Sequence, residues 1–409
     1  MKIIHVSYSD SIGGAGIAAN QLHNNLKKKN ILSKMLVLDK NLNDDLILGP
    51  NTKLEILINN LRIRFSRFLK RNFFKTSDKE SFSFNLINTN VLKKLNNLDC
   101  DIVHLHWIGN EMISISQIKK IQKPIVWSFH DMWPINGGEH YSDNNRCIDG
   151  YNKKNKPKLD IGFDINRFLW NKKLKNLNIN LNVICYSNWL KELVNKSQIY
   201  KNSQITKIPY GIDTRFWKKT DKHLARKFYK LNSDCKIILF GSTSGTNNRK
   251  GFNYLIEALN KLKINNFKLL VAGTKPKNLD KLKCNYLYVG EVNGKEKRRK
   301  LISASDLTIS PSILENFGLF VLESNSCSVP CVVFDNTGTT DLVKHKINGY
   351  IARNKNIDDL KNGIEWCLEK KSRIDELSKS ARVMAEENHD ETKVTDKVLN
   401  LYNSIMKKK

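Results

Sequence analysis

A chain of 409 residues is long enough for two domains of ordinary size. With 40% hydrophobic residues and no apolar run near the ~18 residues of a membrane span, it contains no transmembrane helix. Its 69 Lys and Arg outweigh 40 Asp and Glu for a net charge of +29, which favours anionic surfaces (membrane lipid, a phosphorylated acceptor, nucleic acid) but says nothing of fold.

A composition rich in Lys, Asn and Ile produces the same charge without any partner. The eight cysteines, at 100, 147, 185, 235, 284, 327, 331 and 367, are scattered without Cys-x-x-Cys pairs. That fits buried thiols in a reducing, cytosolic compartment and not a disulfide framework.

Residues 3–8 alternate and branch like a buried strand, and the polar segment behind them is unlike a signal peptide. Asp10-Ser-Ile-Gly-Gly-Ala-Gly16 then reads as a Gly-rich turn before an amphipathic helix from Ile17 to about Lys29, where backbone amides could approach a phosphate. The spacing is not Gly-x-Gly-x-x-Gly, and Asp39 is the nearest acid to a ribose-binding position, so a looser phosphate-contacting or helix-packing loop is expected. Residues 54–75 carry Leu54, Leu57, Ile58, Leu61, Phe65, Phe68 and Leu69 at a helical period, interleaved with Arg62, Arg64, Arg67, Lys70, Arg71 and Lys75. The first expectation is a core-facing helix with a basic outer face, and the second a membrane-surface helix. No nucleic-acid-binding motif accompanies the charge.

Asp101-Ile-Val-His104-Leu-His106-Trp107 alternates like a strand with both histidines on one face. No further ligand falls at a persuasive spacing, so these read as satisfied strand histidines and not metal ligands. Residues 124–129 form another buried strand ending in His130-Asp-Met-Trp-Pro134. A histidine at the carboxyl end of a parallel strand faces the ligand crevice of an open α/β sheet and is suited to proton handling. The stretch from 137 to 175 is polar and loop-like, an acceptor-site loop or a disordered insertion. A strand at 183–187 follows, then a helix from Trp189 capped by Ser187 or Asn188. Ile208-Pro-Tyr-Gly-Ile-Asp213 marks a domain boundary near 212–218.

The second half repeats the rhythm. Strands at 236–240, 267–272, 286–289 and 329–334 alternate with helices such as 252–262, and the last ~20 residues read as a basic-tailed helix. Arg249 and Lys250 sit in the strand-to-helix loop 241–251, where cations could neutralise phosphate without a metal. The most informative stretch is Ser310-Pro-Ser-Ile-Leu-Glu315-Asn-Phe-Gly-Leu319-Phe-Val-Leu-Glu323. A strand end and a Pro turn lead into a helix whose first amides, at Phe317, Gly318 and Leu319, favour anions. Glu315 beside such an end fits either a ligand carrying both hydroxyls and phosphate, such as a sugar nucleotide, or an ordinary helix with a capping Glu and one solvated Glu.

This motif order resembles the retaining glycosyltransferases of family 4, and His-Leu-His-Trp-Ile (104–108) with His-Asp-Met-Trp-Pro…Gly-Gly-Glu-His-Tyr (130–141) is similar to a bacterial polysaccharide-assembly branch of it. The resemblance covers nearly the whole chain. It implies an α/β GT-B fold of two facing Rossmann-like domains with parallel sheets: 1–212 for the acceptor, 213–390 for the nucleotide-sugar donor, and 391–409 as a helix crossing back. It implies that Glu315 bonds donor-sugar hydroxyls near the Phe317, Gly318 and Leu319 amides, and that Glu323 takes the ribose. Lys250, with Arg249, would stabilise the departing diphosphate; Gly14 and Ala15 would close over the phosphates. Val292 would meet the base, Gly338 and Thr339 would border the site, and His130 would lie at the reacting face. Catalytic roles thus fall to His130, Lys250 and Glu315.

Two departures from the family stand out. Gly241-Ser242 replaces a frequent Gly-Arg, so either Arg249 substitutes or the diphosphate has one cation fewer. A frequent Cys-x-x-Cys near 145–160 is reduced to Cys147, so no metal and no cofactor is expected. The expected function is hexose transfer from a UDP- or GDP-sugar to a glycan, lipid-linked acceptor, in the cytoplasm or on the inner membrane face. The rival readings are a non-catalytic protein on the same scaffold, or a nucleic-acid-binding protein; retention of Glu315 and Lys250 counts against the first.

Overall fold

The computed structural model describes residues 1–76, 81–231, 234–242 and 247–408. They divide into two compact units, Met1–Ile208 with Thr395–Lys409, and Pro209–Val394. The first unit holds β1 (Lys2–Ser9), β2 (Leu32–Asp39), β3 (Ile47–Leu48), β4 (Ile102–Leu105), β5 (Ile125–Phe129), β6 (Asn182–Cys185) and β7 (Gln204–Lys207), in the order β3-β2-β1-β4-β5-β6-β7. Every pairing is parallel. The runs Ile-Val-His-Leu of β4 and Ile-Val-Trp-Ser-Phe of β5 are buried at every position, as strands covered by helices on both faces must be.

The second unit repeats this plan with β8 (Lys236–Ser242), β9 (Phe267–Gly273), β10 (Tyr286–Gly290), β11 (Leu307–Ser310), β12 (Cys331–Phe334) and β13 (Gly349–Ala352), all parallel. Their order is β10-β9-β8-β11-β12-β13. Both sheets reverse direction beside their first strand, between β1 and β4 and between β8 and β11. In a doubly wound sheet the carboxyl ends at such a reversal flank the ligand crevice. The Ile-Pro-Tyr-Gly-Ile-Asp segment joins the second unit from Pro209 because Ile212 is hydrogen-bonded both ways to the end of the chain: its N–H to the His389 carbonyl at 2.8 Å, its carbonyl to Glu391 N–H at 3.0 Å. The last helix, Glu391–Met406, belongs to the first unit from Thr395 onward.

Several expectations change. The Gly-rich stretch is not a turn ahead of a helix; Gly13 is already the first residue of the helix Gly13–Lys28. The helix Lys53–Phe73 does not face the core. It is buried only at Asn59 and Ile63, while Leu54, Leu57, Ile58, Leu61, Phe65 and Phe68 are exposed. The segment from 137 to 175 is not a loose insertion. Gly137 to His140 are buried, and the helix Ile165–Leu177 closes the segment. Its Lys173 is fully buried, donating to the carbonyls of Trp133, Asn136 and Gly137. Gly138 is required there, because a Cβ would stand 2.1 Å from the Phe82 ring. The eight cysteines are free thiols, six of them buried. No helix among the described residues is long and apolar enough to cross a membrane.

Candidate active site

In the second unit the chain turns at the carboxyl ends of β8 and β11, the two strands that flank the reversal. After β8, residues 243–246 of the polar loop lie outside the described residues; Asn248–Lys250 then forms one 3-10 turn. Gly251 ends that turn at φ +71 and starts the helix Phe252–Asn260. A Cβ on Gly251 would lie 1.7 Å from the Pro311 carbonyl oxygen, so glycine is what lets the Arg-Lys pair press against the turn after β11. That turn delivers Glu315. Lys250 Nζ lies 2.6 Å from Glu315 Oε2, and Arg249 Nη1 lies 3.4 Å from the same oxygen and 2.6 Å from the Leu314 carbonyl. Burial pushes the Glu315 carboxyl up, but the two cations outweigh it and hold the group at about 2. Arg249 therefore joins the cluster in which the family's second cation is missing from position 242.

Gly318, at φ +93, caps the helix Leu319–Ser326 without a side-chain cap bond. Of the amides the sequence pointed to, Leu319 opens the helix, Gly318 is its cap residue and Phe317 precedes the cap. The Phe317 ring is a packing group, buried with its centroid 5.0 Å from Tyr210 and 5.7 Å from His389. The Gly338 N–H donates to the Glu315 carbonyl at 2.7 Å, and a Cβ on Gly318 would meet Thr339 at 2.8 Å, so Gly338 and Thr339 border the same cluster. Val292, half-buried, follows the edge strand β10.

Glu323 sits inside the helix with an ion partner that sequence spacing did not reveal. Arg298, from the helix Lys295–Ala304, lies 2.9 Å away, and its guanidinium stands over the Trp217 ring at 5.3 Å. Burial raises the Glu323 carboxyl to about 7 against the pull of Arg298. Only helix packing brings 298 to 323, and an Arg in a Lys-Glu-Lys-Arg-Arg-Lys run looks like any solvated basic residue.

In the first unit Gly14 is exposed and Ala15 half-buried in the opening turn of the helix after β1. Gly16 is tight against β1, since a Cβ would stand 2.8 Å from the Ser9 carbonyl oxygen. His130 follows β5, with Nε2 3.2 Å from His106 Nδ1 and 3.4 Å from the Tyr186 hydroxyl. Burial lowers His130 to about 3, so the ring stays neutral near pH 7 and is a weak base, unlike the proton-handling histidine expected. Asp131 is a tie. It accepts from Trp107 Nε1 at 2.7 Å and the Trp133 N–H at 2.9 Å, and pairs with His140 at 2.6 Å, joining the two phrases of the 130–141 motif. The β1–β4 register sets His5 beside His104 and so adds a third histidine to His104 and His106, a neighbour that sequence spacing could not supply.

Two family models match the chain in succession: Glycosyltransferase Family 4 over residues 51–216 and Glycosyl transferases group 1 over residues 221–384. An uncharacterized glycosyltransferase of Methanocaldococcus jannaschii is 28% identical over 190 residues, 44% of this chain and 48% of the relative. The UDP-Gal:alpha-D-GlcNAc-diphosphoundecaprenol alpha-1,3-galactosyltransferase of Escherichia coli is 29% identical over 102 residues, 25% of this chain and 26% of the relative. The matched stretches thus span half or less of these relatives' length. Sucrose-phosphate synthase from Thermosynechococcus elongatus, at 15% identity, shares the fold over 100% of both chains with a TM-score of 0.69. With both models matched in order across the two Rossmann-like units, the chain belongs to the family 4 glycosyltransferases of GT-B fold.

Proposed function

We propose that this chain is a retaining hexosyltransferase that moves a sugar from a nucleoside-diphosphate donor to a glycan acceptor carried on a lipid. The convergence of Lys250, Arg249 and Glu315 at the β8–β11 reversal carries the reading. A carboxylate held ionised accepts hydrogen bonds from the donor-sugar hydroxyls. The two cations beside it and the amides at Phe317 to Leu319 oppose the negative charge that builds on the departing diphosphate, the largest protein contribution expected for such a step. No second carboxylate is assigned as nucleophile, so the acceptor hydroxyl attacks the face the diphosphate leaves, and the diphosphate takes the proton. No metal or cofactor is invoked. The E. coli relative, named for a UDP-sugar donor and a diphosphoundecaprenol-linked acceptor, supports the lipid-linked choice.

A panel of UDP- and GDP-sugars tests the reading by thermal shift, because a ligand bound only by the folded state raises the midpoint by mass action. At least one donor is expected to raise it. The shift should also grow as pH rises through about 7, where Glu323 ionises and becomes a full acceptor for ribose hydroxyls. The sign for the free protein is opposite. A carboxyl raised in the fold above its usual ~4.3 stabilises most at low pH, and that contribution is lost as pH rises toward 7. In Glu323→Gln the donor-induced shift should lose its pH dependence; a panel with no responder would remove the donor assignment.

We also propose that the first unit meets an anionic membrane on the cytoplasmic side. The helix Lys53–Phe73 exposes Leu54, Leu57, Leu61, Phe65 and Phe68 beside Arg64, Arg67 and Arg71. Arg62 and Lys70 are tied to the unit, donating to the carbonyls of Glu111 at 3.2 Å and Phe74 at 3.1 Å. Next to the helix end lies a second apolar run, with Leu159 76%, Ile161 66% and Phe163 61% exposed, held by the Ile161 N–H to the Lys75 carbonyl at 3.1 Å. Apolar groups flanked by arginines fit an anionic bilayer interface. Each basic residue at such a surface is worth about 1 kcal/mol, so Arg64→Glu/Arg67→Glu/Arg71→Glu should lower partitioning into phosphatidylglycerol vesicles on the order of 100-fold. Unchanged cosedimentation would leave the charge as compositional bias.

A further inference from the structure

Within the second unit, Glu323 is paired with a side chain from another helix. Arg298 lies on the face of the helix Lys295–Ala304 that also carries the fully buried Leu301 and Ile302, three and four residues on. From that face its Nη2 reaches to 2.9 Å from Glu323 Oε1. The buried Trp217 ring, with its centroid 5.3 Å from the guanidinium carbon, backs the fork on another side. The adjacent Arg299 is engaged elsewhere, donating to the Phe216 carbonyl at 2.7 Å and to Glu296 at 2.9 Å. Of two arginines next to each other in the sequence, only Arg298 is built into the surroundings of Glu323.

The two oxygens of this carboxyl differ. Oε1 takes the guanidinium, while Oε2 accepts no hydrogen bond from the described residues. Nor is Oε2 sealed away as Glu111 Oε2 and Glu139 Oε2 are, so a ligand can reach it. An ionised carboxylate only accepts, whereas a protonated one gives part of that capacity to its own O–H. Burial pushes Glu323 up to about 7 and Arg298 pulls it the other way, so the guanidinium governs how much acceptor is present near neutrality. The other groups around the carboxyl contribute less. Lys295, from the helix of Arg298, favours the ionised form. Cys327, at the end of the Glu323 helix, is pushed up to about 12 by burial and stays a neutral thiol, as does Cys331 of β12. From the helix Lys371–His389, Arg382 is engaged by the carbonyls of Thr214, Trp217 and Ser326.

We propose that Arg298 is a positioning residue for nucleotide binding: it holds Glu323 by Oε1 and leaves Oε2 as a charged acceptor for ribose hydroxyls, so that the second unit selects ribonucleotides over their deoxy counterparts. Because the ionised carboxylate is the better acceptor, Arg298 also sets the pH range in which the nucleotide is held. The ribose half of this rests on the reading of Glu323 as the group that meets the donor ribose; the hold of Arg298 on the carboxyl does not. A deoxyribose offers Oε2 only C–H groups, which leaves a charged acceptor without a partner under the ligand. Glu315 shows the contrast. Two cations meet one of its oxygens and hold it at about 2, so its charge does not vary near neutrality, whereas Glu323 depends on the one ion pair with Arg298.

The test joins carbon NMR of the full chain, labelled at the glutamate carboxyls, to calorimetry with UDP, GDP and their 2′,3′-dideoxy analogues. Glu323 is assigned by the signal lost in Glu323→Gln. Its titration is expected near pH 7 in the parent, higher in Arg298→Gln, and close to the parent in Arg298→Lys. At pH 7 Arg298→Gln should weaken the responding nucleotide on the order of 10-fold, the effect of about one unit in the carboxyl, and at pH 9 most of that loss should disappear. Lysine should recover most of the affinity, whereas an arginine that only supports the fold would cost the same at both pH values. The dideoxy analogues keep the diphosphate and its own titration, and in the parent they should bind on the order of 10- to 100-fold more weakly. An unmoved Glu323 titration in folded Arg298→Gln overturns the proposal, as does an equal loss at pH 7 and pH 9, or dideoxy nucleotides bound as tightly as UDP and GDP. If Arg298→Gln fails to fold, the dideoxy comparison in the parent decides by itself. If neither UDP nor GDP binds the parent, the donor reading and the ribose role fall together, while the titration still decides the hold of Arg298 on the carboxyl.

Discussion

Lys250→Ala is expected to lower kcat for transfer on the order of 10²- to 10³-fold, the range for removing one preorganised group that opposes developing charge. The substitution takes away a cation 2.6 Å from Glu315 and leaves that carboxylate with Arg249 at 3.4 Å. Glu315→Ala should be as damaging for the converse reason, since two cations then lose the acceptor that aligns them and, on the proposed function, the donor sugar loses a hydrogen-bond partner. Both variants should keep the circular dichroism of the parent, because the cluster lies beyond the strand ends and not in the sheet core. Turnover within tenfold of the parent in a folded Lys250→Ala protein would remove the lysine from the reaction. Acid stability reports on the same pair. A carboxyl held at about 2 in the fold stabilises above its ordinary ~4.3 and loses that contribution as pH falls toward 2. Lys250→Ala should therefore narrow the gap in melting midpoint between pH 7 and pH 3.

Gly251→Ala should cost on the order of 3 kcal/mol or more, through positive-φ strain and a steric clash together. The clash is with backbone: the added Cβ would stand 1.7 Å from the Pro311 carbonyl oxygen, in a residue at φ +71. Neither atom can move aside without shifting the turn that carries Glu315 or the one that carries Lys250. At roughly 2–4 °C per kcal/mol for a unit of this size, the melting midpoint should drop by about 10 °C. Activity should fall with it, even in the fraction that stays folded. An Ala variant that melts with the parent would mean that the two turns do not need this contact.

These two predictions differ in how they could be reached. Arg-Lys-Gly, Glu-x7-Glu and the strand-ending His130 are readable from the chain because each sits where a strand gives way to a helix, and strand ends are marked locally by branched runs followed by Gly, Pro or Asn. The contacts that tune them were not readable. Arg298 reaches Glu323 from another helix, and His106 reaches His130 from another strand. His5 becomes a neighbour of His104 only through the β1–β4 register. The helix Lys53–Phe73 shows the same limit from the other side. Its period of 3.6 was plain, but an apolar face looks the same whether it meets a core or the surroundings, and only the packed structure left Leu54, Leu61, Phe65 and Phe68 uncovered.

The sequence by itself determined the strand–helix alternation and therefore the two doubly wound sheets, because hydrophobic period and turn residues act over a few neighbours. It also determined the chemistry of the Arg249, Lys250 and Glu315 cluster, since a carboxylate and two cations keep their character wherever they are placed. Tertiary structure alone decided which groups meet: the Glu315 oxygen shared by Arg249 and Lys250, the burial that sets Glu323 near 7 and His130 near 3, and the contacts of His106 with His5 and His130. Those depend on dielectric surroundings and on hydrogen-bond partners far apart in the chain, which local spacing does not encode.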